Sequence, residues 1–251
     1  MNTKTVTETL LERRSIRRYE REAISEQDME LIYDAIRNTP TSYNGQQYSV
    51  IDITDQQLKE KLYEIIGAKQ IKTCNHFLTF LADFHKISLL ARMKGADMPP
   101  FTSTADGVIV GVVDAALTMM SAVVAACSRG LGTCCIGYAR TANPEAVSDL
   151  LKLPKGTFLV CGLAIGVPRE MPDLKPKQPE GLTIFKNEYP DDSVLEPLLT
   201  AYDSEITHYN TTREGTKTTN DWGLHIISYY KEAMGYRILE ALRRQGFDIT
   251  R

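Results

Sequence analysis

Seven residues near the start of the chain, Arg13-Arg14-Ser15-Ile16-Arg17-Arg18-Tyr19, hold four guanidinium groups and one small hydroxyl. A guanidinium meets a phosphate through a planar fork of N–H donors, and a phosphate monoester brings nearly two charges to that fork. Three readings of such a run are open: a solvated charge run, a nucleic-acid patch, or a pocket for a phosphorylated ligand. Two other segments favour the last. Asp173-Leu174-Lys175-Pro176-Lys177 supplies two ammonium groups far downstream. Pro40-Thr41-Ser42-Tyr43-Asn44-Gly45-Gln46-Gln47 supplies neutral hydrogen-bonding side chains suited to a sugar-like chain, although Pro40, Asn44 and Gly45 also suit an ordinary turn.

Other chemistries are poorly supplied. His76, His85, His208 and His225 are scattered, none in a metal-ligand spacing, so no metal is expected. No hydrolase triad is visible. No G-x-G-x-x-G follows a strand pattern, and G-x-x-x-x-G-K-[ST] is absent, so a phosphorylated cofactor has to be held by side chains. The net charge of −3 over 251 residues opposes nucleic-acid binding, which usually shows a basic domain. Five cysteines, with Cys134 and Cys135 adjacent, fit neither a disulfide framework nor a zinc site; they read as reduced thiols in a cytoplasmic protein. Stretch 1–10 is polar and lacks the apolar core of a secretory signal. Stretch 107–126 approaches the length of a membrane span, but Asp114 and several hydroxyl residues interrupt it, so a core helix is expected and no membrane.

The elements that must position these groups follow from periodicity. Helices are expected over 7–13 and after Ser25, where Ser25-Glu26-Gln27-Asp28 caps a run with Met29, Ile32, Tyr33 and Ile36 at helical spacing. Pro40 bounds that helix. Further helices are expected over 56–66, closed by Gly67, from 85 through 93, over 106–128, and from Pro144 behind an Asn143 cap. Strands are expected over 48–54, 77–84, 131–136 and 157–165. After Pro168 a proline-rich extended segment leads to helices over 193–209 and 222–245, with a polar, mobile link over 210–221. A few strands separated by helices predict a sheet covered by helices. The tail reads as an excursion of the kind that wraps a partner subunit, so a homodimer is expected.

Taken in order, segment 13–19, segment 40–47, Gly-Leu-Gly-Thr-Cys-Cys-Ile-Gly (130–137) and Leu-Lys-Pro-Lys (174–177) resemble the FMN-dependent nitroreductases. The larger, oxygen-insensitive branch that also contains flavin reductases is the most similar. Asn-Pro-Glu-Ala-Val-Ser-Asp-Leu-Leu-Lys-Leu-Pro (143–154) adds to the resemblance, which covers essentially the whole chain. It implies an α+β fold: a three-layer α/β/α sandwich with a mostly antiparallel central sheet and a C-terminal arm around the partner. It implies one domain over 1–251, with 169–251 as the excursion. It implies FMN as cofactor, with Arg13, Lys175 and Lys177 near the phosphate and Arg14, Ser15 and Arg17 along the phosphate, ribityl chain and pyrimidine edge. Arg17 would tune the flavin, and Thr41, Ser42 and Asn44 would come from the partner subunit. Cys135, Ile136 and Gly137 would line the ring. Many relatives carry Asn or Gln just after the glycine that here is Gly67; this chain has Ala68, with Gln70 close by as the substitute. Arg213 and Lys217 would meet NAD(P)H in a loop that also carries Glu214. The implied reaction is ping-pong transfer of two electrons from NAD(P)H to a nitroaromatic, a quinone or another small-molecule acceptor. A flavin reductase that supplies free reduced flavin, and a non-catalytic FMN-storage module, are the alternatives.

Overall fold

Two central strands buried on both faces organise the molecule. The structure, a computed structural model, describes residues 4–250; positions 1–3 of the polar first stretch lie outside it. A four-stranded antiparallel sheet has the order β1 (Tyr48–Ile53), β2 (His76–Asp83), β4 (Thr157–Gly166), β3 (Gly132–Ile136). β2 and β4 are central, which explains their nearly continuous apolar sequences. Edge strand β1 keeps more alternation and is only part-buried between its ends.

Helices cover both faces, giving three layers. On one face Leu78 and Phe80 of β2 and Leu163 of β4 pack with Ile32 of α2 (Glu26–Arg37) and Ala122 and Ala126 of α6 (Ala105–Ser128). On the other, Phe77, Leu159 and Ala164 meet Leu62 of α3 (Gln56–Ile66), Ile71 of α4 (Gln70–Thr73) and Val147 of α8 (Pro144–Leu150). The short helix α7 (Tyr138–Thr141) follows β3 directly. α1 (Val6–Glu12) and α5 (His85–Lys94) complete the N-terminal half.

The expected caps are present. The Ser25 side chain accepts from the Asp28 amide, Asn143 does the same for Ala146, and Gly67 ends α3 in the left-handed region at φ 78°. α2 stops at Arg37, three residues before Pro40. α6 is long and apolar enough to cross a membrane, but it lies along the sheet against α2 and β2.

The chain divides into two units, residues 1–171 with 237–251, and residues 172–236. In the second, α9 (Asp192–Thr212) meets α10 (Trp222–Ala233) through an edge-on Tyr202–Trp222 ring pair 5.4 Å apart. The single helix expected over 222–245 is instead two, α10 and α11 (Ile238–Arg244). Periodicity runs through the break. Packing sets it, because Ala241, Leu242 and Phe247 join Phe84 and Phe158 in a separate apolar cluster of the first unit. Arg244 anchors that return with both oxygens of Asp149 at 2.8 Å. The link expected to be polar and mobile from 210 starts later. Asn210 is buried inside α9 and donates to the Asn220 carbonyl at 2.8 Å.

Candidate functional site

The arginine segment is held against the outer edge of β3. The Ile16 amide donates to the Thr133 carbonyl at 2.9 Å, and Ser15 pairs with Thr133 in a parallel bridge. Tyr19 turns its buried hydroxyl back onto the Ile16 carbonyl at 2.6 Å, and burial pushes that hydroxyl far above its ordinary range. The Arg17 amide donates to Glu170 at 2.7 Å, and the Glu20 amide to the Val167 carbonyl at 2.9 Å. Gly132 lets this segment come close: a Cβ there would lie 2.8 Å from Ile16 Cβ and Cγ2. Segments 13–19 and 130–137, far apart in sequence, thus form one surface.

On that surface the Arg13 Nε is buried and, among the described residues, has no hydrogen-bond partner. A cleft of about 220 Å³ opens there, lined by Lys4, Arg13, Arg14, Gly130 and Gly132 among others. Glu12 pairs with Lys4 at 2.7 Å, and the Glu12 backbone carbonyl accepts from Arg14 Nε at 3.1 Å. A buried guanidinium N–H left unsatisfied is costly unless an acceptor arrives, so the donor set fits an anionic group such as a phosphate. A larger cleft of about 310 Å³, with Tyr33, Tyr48, Asp52 and Lys86 in its walls, lies beside β1 at the opposite edge of the sheet. Among the described residues its buried unpaired atom is an acceptor, Asp52 Oδ1, whereas the smaller cleft offers the donor that an anion would take.

Ile136 is buried at the end of β3, while Cys135 and Gly137 are exposed. Cys134 points into the core. Cys135 is exposed as a residue, yet the atoms crowded around its sulfur push its thiol up to about 11, with Cys161 nearby adding to the rise. The expected result is that Cys135 in the flavin-free protein resists iodoacetamide at pH 7.5. The thiolate fraction is then about three orders of magnitude below one, and labelling followed by mass spectrometry should accelerate only as pH climbs toward 11. Rapid labelling at neutral pH would contradict it.

Thr41, Ser42 and Asn44 lie elsewhere. Their loop joins α2 to β1, the strand at the far edge from β3. Three strand spacings separate the two edges, about 14 Å. One copy of the chain therefore does not bring this loop to the arginine surface. Gln70 begins α4, and Ala68 packs against the apolar face of α3 and α4. Lys175 and Lys177 are exposed in the extended start of the second unit. In that unit Arg213 donates through Nε to the Thr216 carbonyl at 2.8 Å and lies over the Tyr209 ring, and Lys217 follows in the same loop.

Sequence reasoning missed Asp114 as a site-shaping residue. It is fully buried in α6; its Oδ1 accepts the Ser42 amide at 3.0 Å and its Oδ2 the Gln47 amide at 3.2 Å. The available signal was a carboxylate in the middle of a long apolar helix. Glu170 was missed too, with no sequence signal to find it.

The profile of the nitroreductase family matches residues 10–167, and that of the nitroreductase family C-terminal domain matches residues 175–250. The chain is 34% identical over 247 residues to an FMN reductase [NAD(P)H] of Bacillus subtilis (strain 168), covering 98% of this chain and 99% of the relative. It is 37% identical over 242 residues to an oxygen-insensitive NADPH nitroreductase of Salmonella typhimurium, covering 96% and 97%. Among solved structures, the hypothetical oxidoreductase YcnD of Bacillus subtilis superposes with a TM-score of 0.94 at 34% identity, over 100% of both chains.

Proposed function

The chain belongs to the nitroreductase family, and from that premise we infer that it is an FMN-dependent oxidoreductase driven by NAD(P)H. The observation that carries this reading is the buried, unpartnered Arg13 Nε on the surface made by segments 13–19 and 130–137. FMN, when bound, supplies the two-electron chemistry, so no nucleophile or general base is required of the protein.

The chain's own residues bind and orient. Arg13, Lys175 and Lys177 hold the phosphate; Arg14 and Ser15 follow the ribityl chain; Arg17 presents its positive charge to the pyrimidine edge. Cys135, Ile136 and Gly137 wall the ring, with Gln70 taking the place that Ala68 leaves. Thr41, Ser42 and Asn44 come from a second copy, since their loop and the arginine surface lie at opposite sheet edges. An exposed apolar stripe on α6, with Ile109, Val113, Leu117 and Met120, supports the homodimer. One working domain spans 1–251; of the arm expected over 169–251, residues 172–236 wrap the second copy, since 237–251 returns to the first unit. Arg213 and Lys217 meet the nicotinamide dinucleotide. The five free thiols support a cytoplasmic setting. The acceptor is a nitroaromatic or quinone; free flavin is the second reading, favoured by the Bacillus subtilis relative named as an FMN reductase.

The test is an absorbance spectrum of the purified protein, then anaerobic addition of NADPH and NADH. Flavin bands that bleach with either nucleotide are expected. Flavin that stays oxidised with both favours storage, and a protein that takes up no FMN overturns the reading. Arg13→Ala should raise the FMN dissociation constant by about 10- to 100-fold, the range for a charge-assisted hydrogen-bonded contact. Titration of the apoprotein by flavin fluorescence measures it, and an unchanged constant removes Arg13 from the phosphate site.

A further inference from the structure

We propose that Asp114 is the positioning residue of the 41–47 loop: its buried carboxylate clamps both ends of a strained loop and so sets the wall offered to the second copy's flavin. The inference rests on the flavin reading above and assigns a role to a residue outside the expected cofactor contacts.

The position is an odd one for a charge. Asp114 is fully buried midway along an apolar helix, and among the described residues no cation pairs with it. A buried carboxylate without a cation requires N–H donors, and both come from one short loop: the amides of Ser42 and Gln47. Between these anchors the backbone is left-handed at three non-glycine residues, Tyr43 at φ 55°, Asn44 at 52° and Gln46 at 50°. Such a path persists only when its surroundings over-determine it. The local bonds are few: the Asn44 amide to the Thr41 carbonyl at 3.1 Å, the Gly45 amide to the Ser42 carbonyl at 2.8 Å, and the Gln46 amide to Thr41 Oγ1 at 3.2 Å. These, with Gln46 Nε2 to the Asn44 carbonyl at 3.4 Å, close within the loop; the Gln47 carbonyl accepts the Asp83 amide of β2 at 3.0 Å, which ties one end, whereas the carboxylate ties both ends to the rigid core.

The clamp holds the loop outward. Tyr43 at its tip is 94% exposed, which is unusual for a large ring in a segment fixed at both ends. A surface held in a costly conformation and turned to solvent is pre-organised for a partner. In this reading Asp114 does not reach the cofactor itself; it acts through the backbone amides of Ser42 and Gln47.

The experiment uses amide hydrogen exchange of the full-length protein with and without FMN, and FMN titration of wild type and Asp114→Asn. Asparagine keeps the shape but replaces one acceptor with an NH₂ that faces an amide donor. Wild type should protect the Ser42 and Gln47 amides at least about tenfold over Tyr43. FMN should slow exchange across 41–47. In Asp114→Asn the loop amides should exchange faster while β2 and β4 stay unchanged, and FMN affinity should fall by about 10- to 100-fold.

A loop that loosens with no change in FMN affinity overturns the proposal, as does wild-type exchange that FMN leaves untouched across 41–47. The second result needs no variant, so it decides even if Asp114→Asn does not fold. A wild-type protein that binds no FMN at all is a different failure: it overturns the flavin reading, and the role of Asp114 falls with it.

Discussion

Arg17→Ala slows the bleaching of bound flavin by NADPH about 10²- to 10³-fold in a single-turnover stopped-flow experiment at saturating FMN, the scale of losing one pre-organised group beside developing charge. The reason lies in how the side chain is placed. Its backbone amide is fixed by Glu170 at 2.7 Å, and the preceding amide by the Thr133 carbonyl at 2.9 Å. The guanidinium itself is exposed, and among the described residues its hydrogen bonding is limited to a long contact to the Ser15 carbonyl at 3.5 Å. Its location is therefore set by the edge of β3, and its donors remain available to a ligand. A positive group already in place when negative charge develops costs no reorganisation at that moment. Arg17→Lys should recover part of the rate, because the charge returns without the planar fork. An unchanged bleaching rate in Arg17→Ala, with FMN still bound, would remove Arg17 from the electronic role.

Phe80→Ala destabilises the first unit by about 3–5 kcal/mol, the range for deleting a buried aromatic side chain. Phe80 has no exposed surface and sits mid-strand in β2, opposite Val50 of β1 and Cys161 of β4. It belongs to the cluster that joins the sheet to α2 and α6. Sheet and helices on that face are both committed to neighbours, so the hole does not close by local collapse. The guanidinium chloride midpoint should fall with little change in slope, and the thermal midpoint should drop on the order of 10 °C. A loss below about 1 kcal/mol would mean that the core repacks around the smaller side chain. The consequence reaches the site, because α6 carries Asp114 and β4 aligns β3 with its arginine segment.

Much of this molecule was legible locally. The Ser25 and Asn143 caps, the Gly67 stop and the continuous apolar runs of β2 and β4 all follow from short-range chemistry, and each has its expected element. The arginine segment declared its donors through composition alone, and the order of four motifs pointed to the family. Short-range rules fail where the competing choices are locally equal. The helical pattern over 222–245 has Gly235 at the division, a weak breaker that helices often tolerate, and the cluster of Phe84, Phe158 and Phe247 makes the division take effect there. Cys134 and Cys135 are adjacent and alike, and only the sheet's two faces make one buried and one exposed.

What the sequence by itself determined is the inventory: most of the elements, and the cationic and hydroxyl side chains that an anionic cofactor would require. Those properties depend on neighbours within a few positions, so they survive without knowledge of the fold. Tertiary structure alone decided the placement. It sets segment 13–19 along β3, carries the 41–47 loop to the opposite edge, and reaches that loop with a carboxylate 67 and 72 residues away. Such contacts join residues whose separation follows no period, and strand order with helix packing is what brings them within hydrogen-bonding distance.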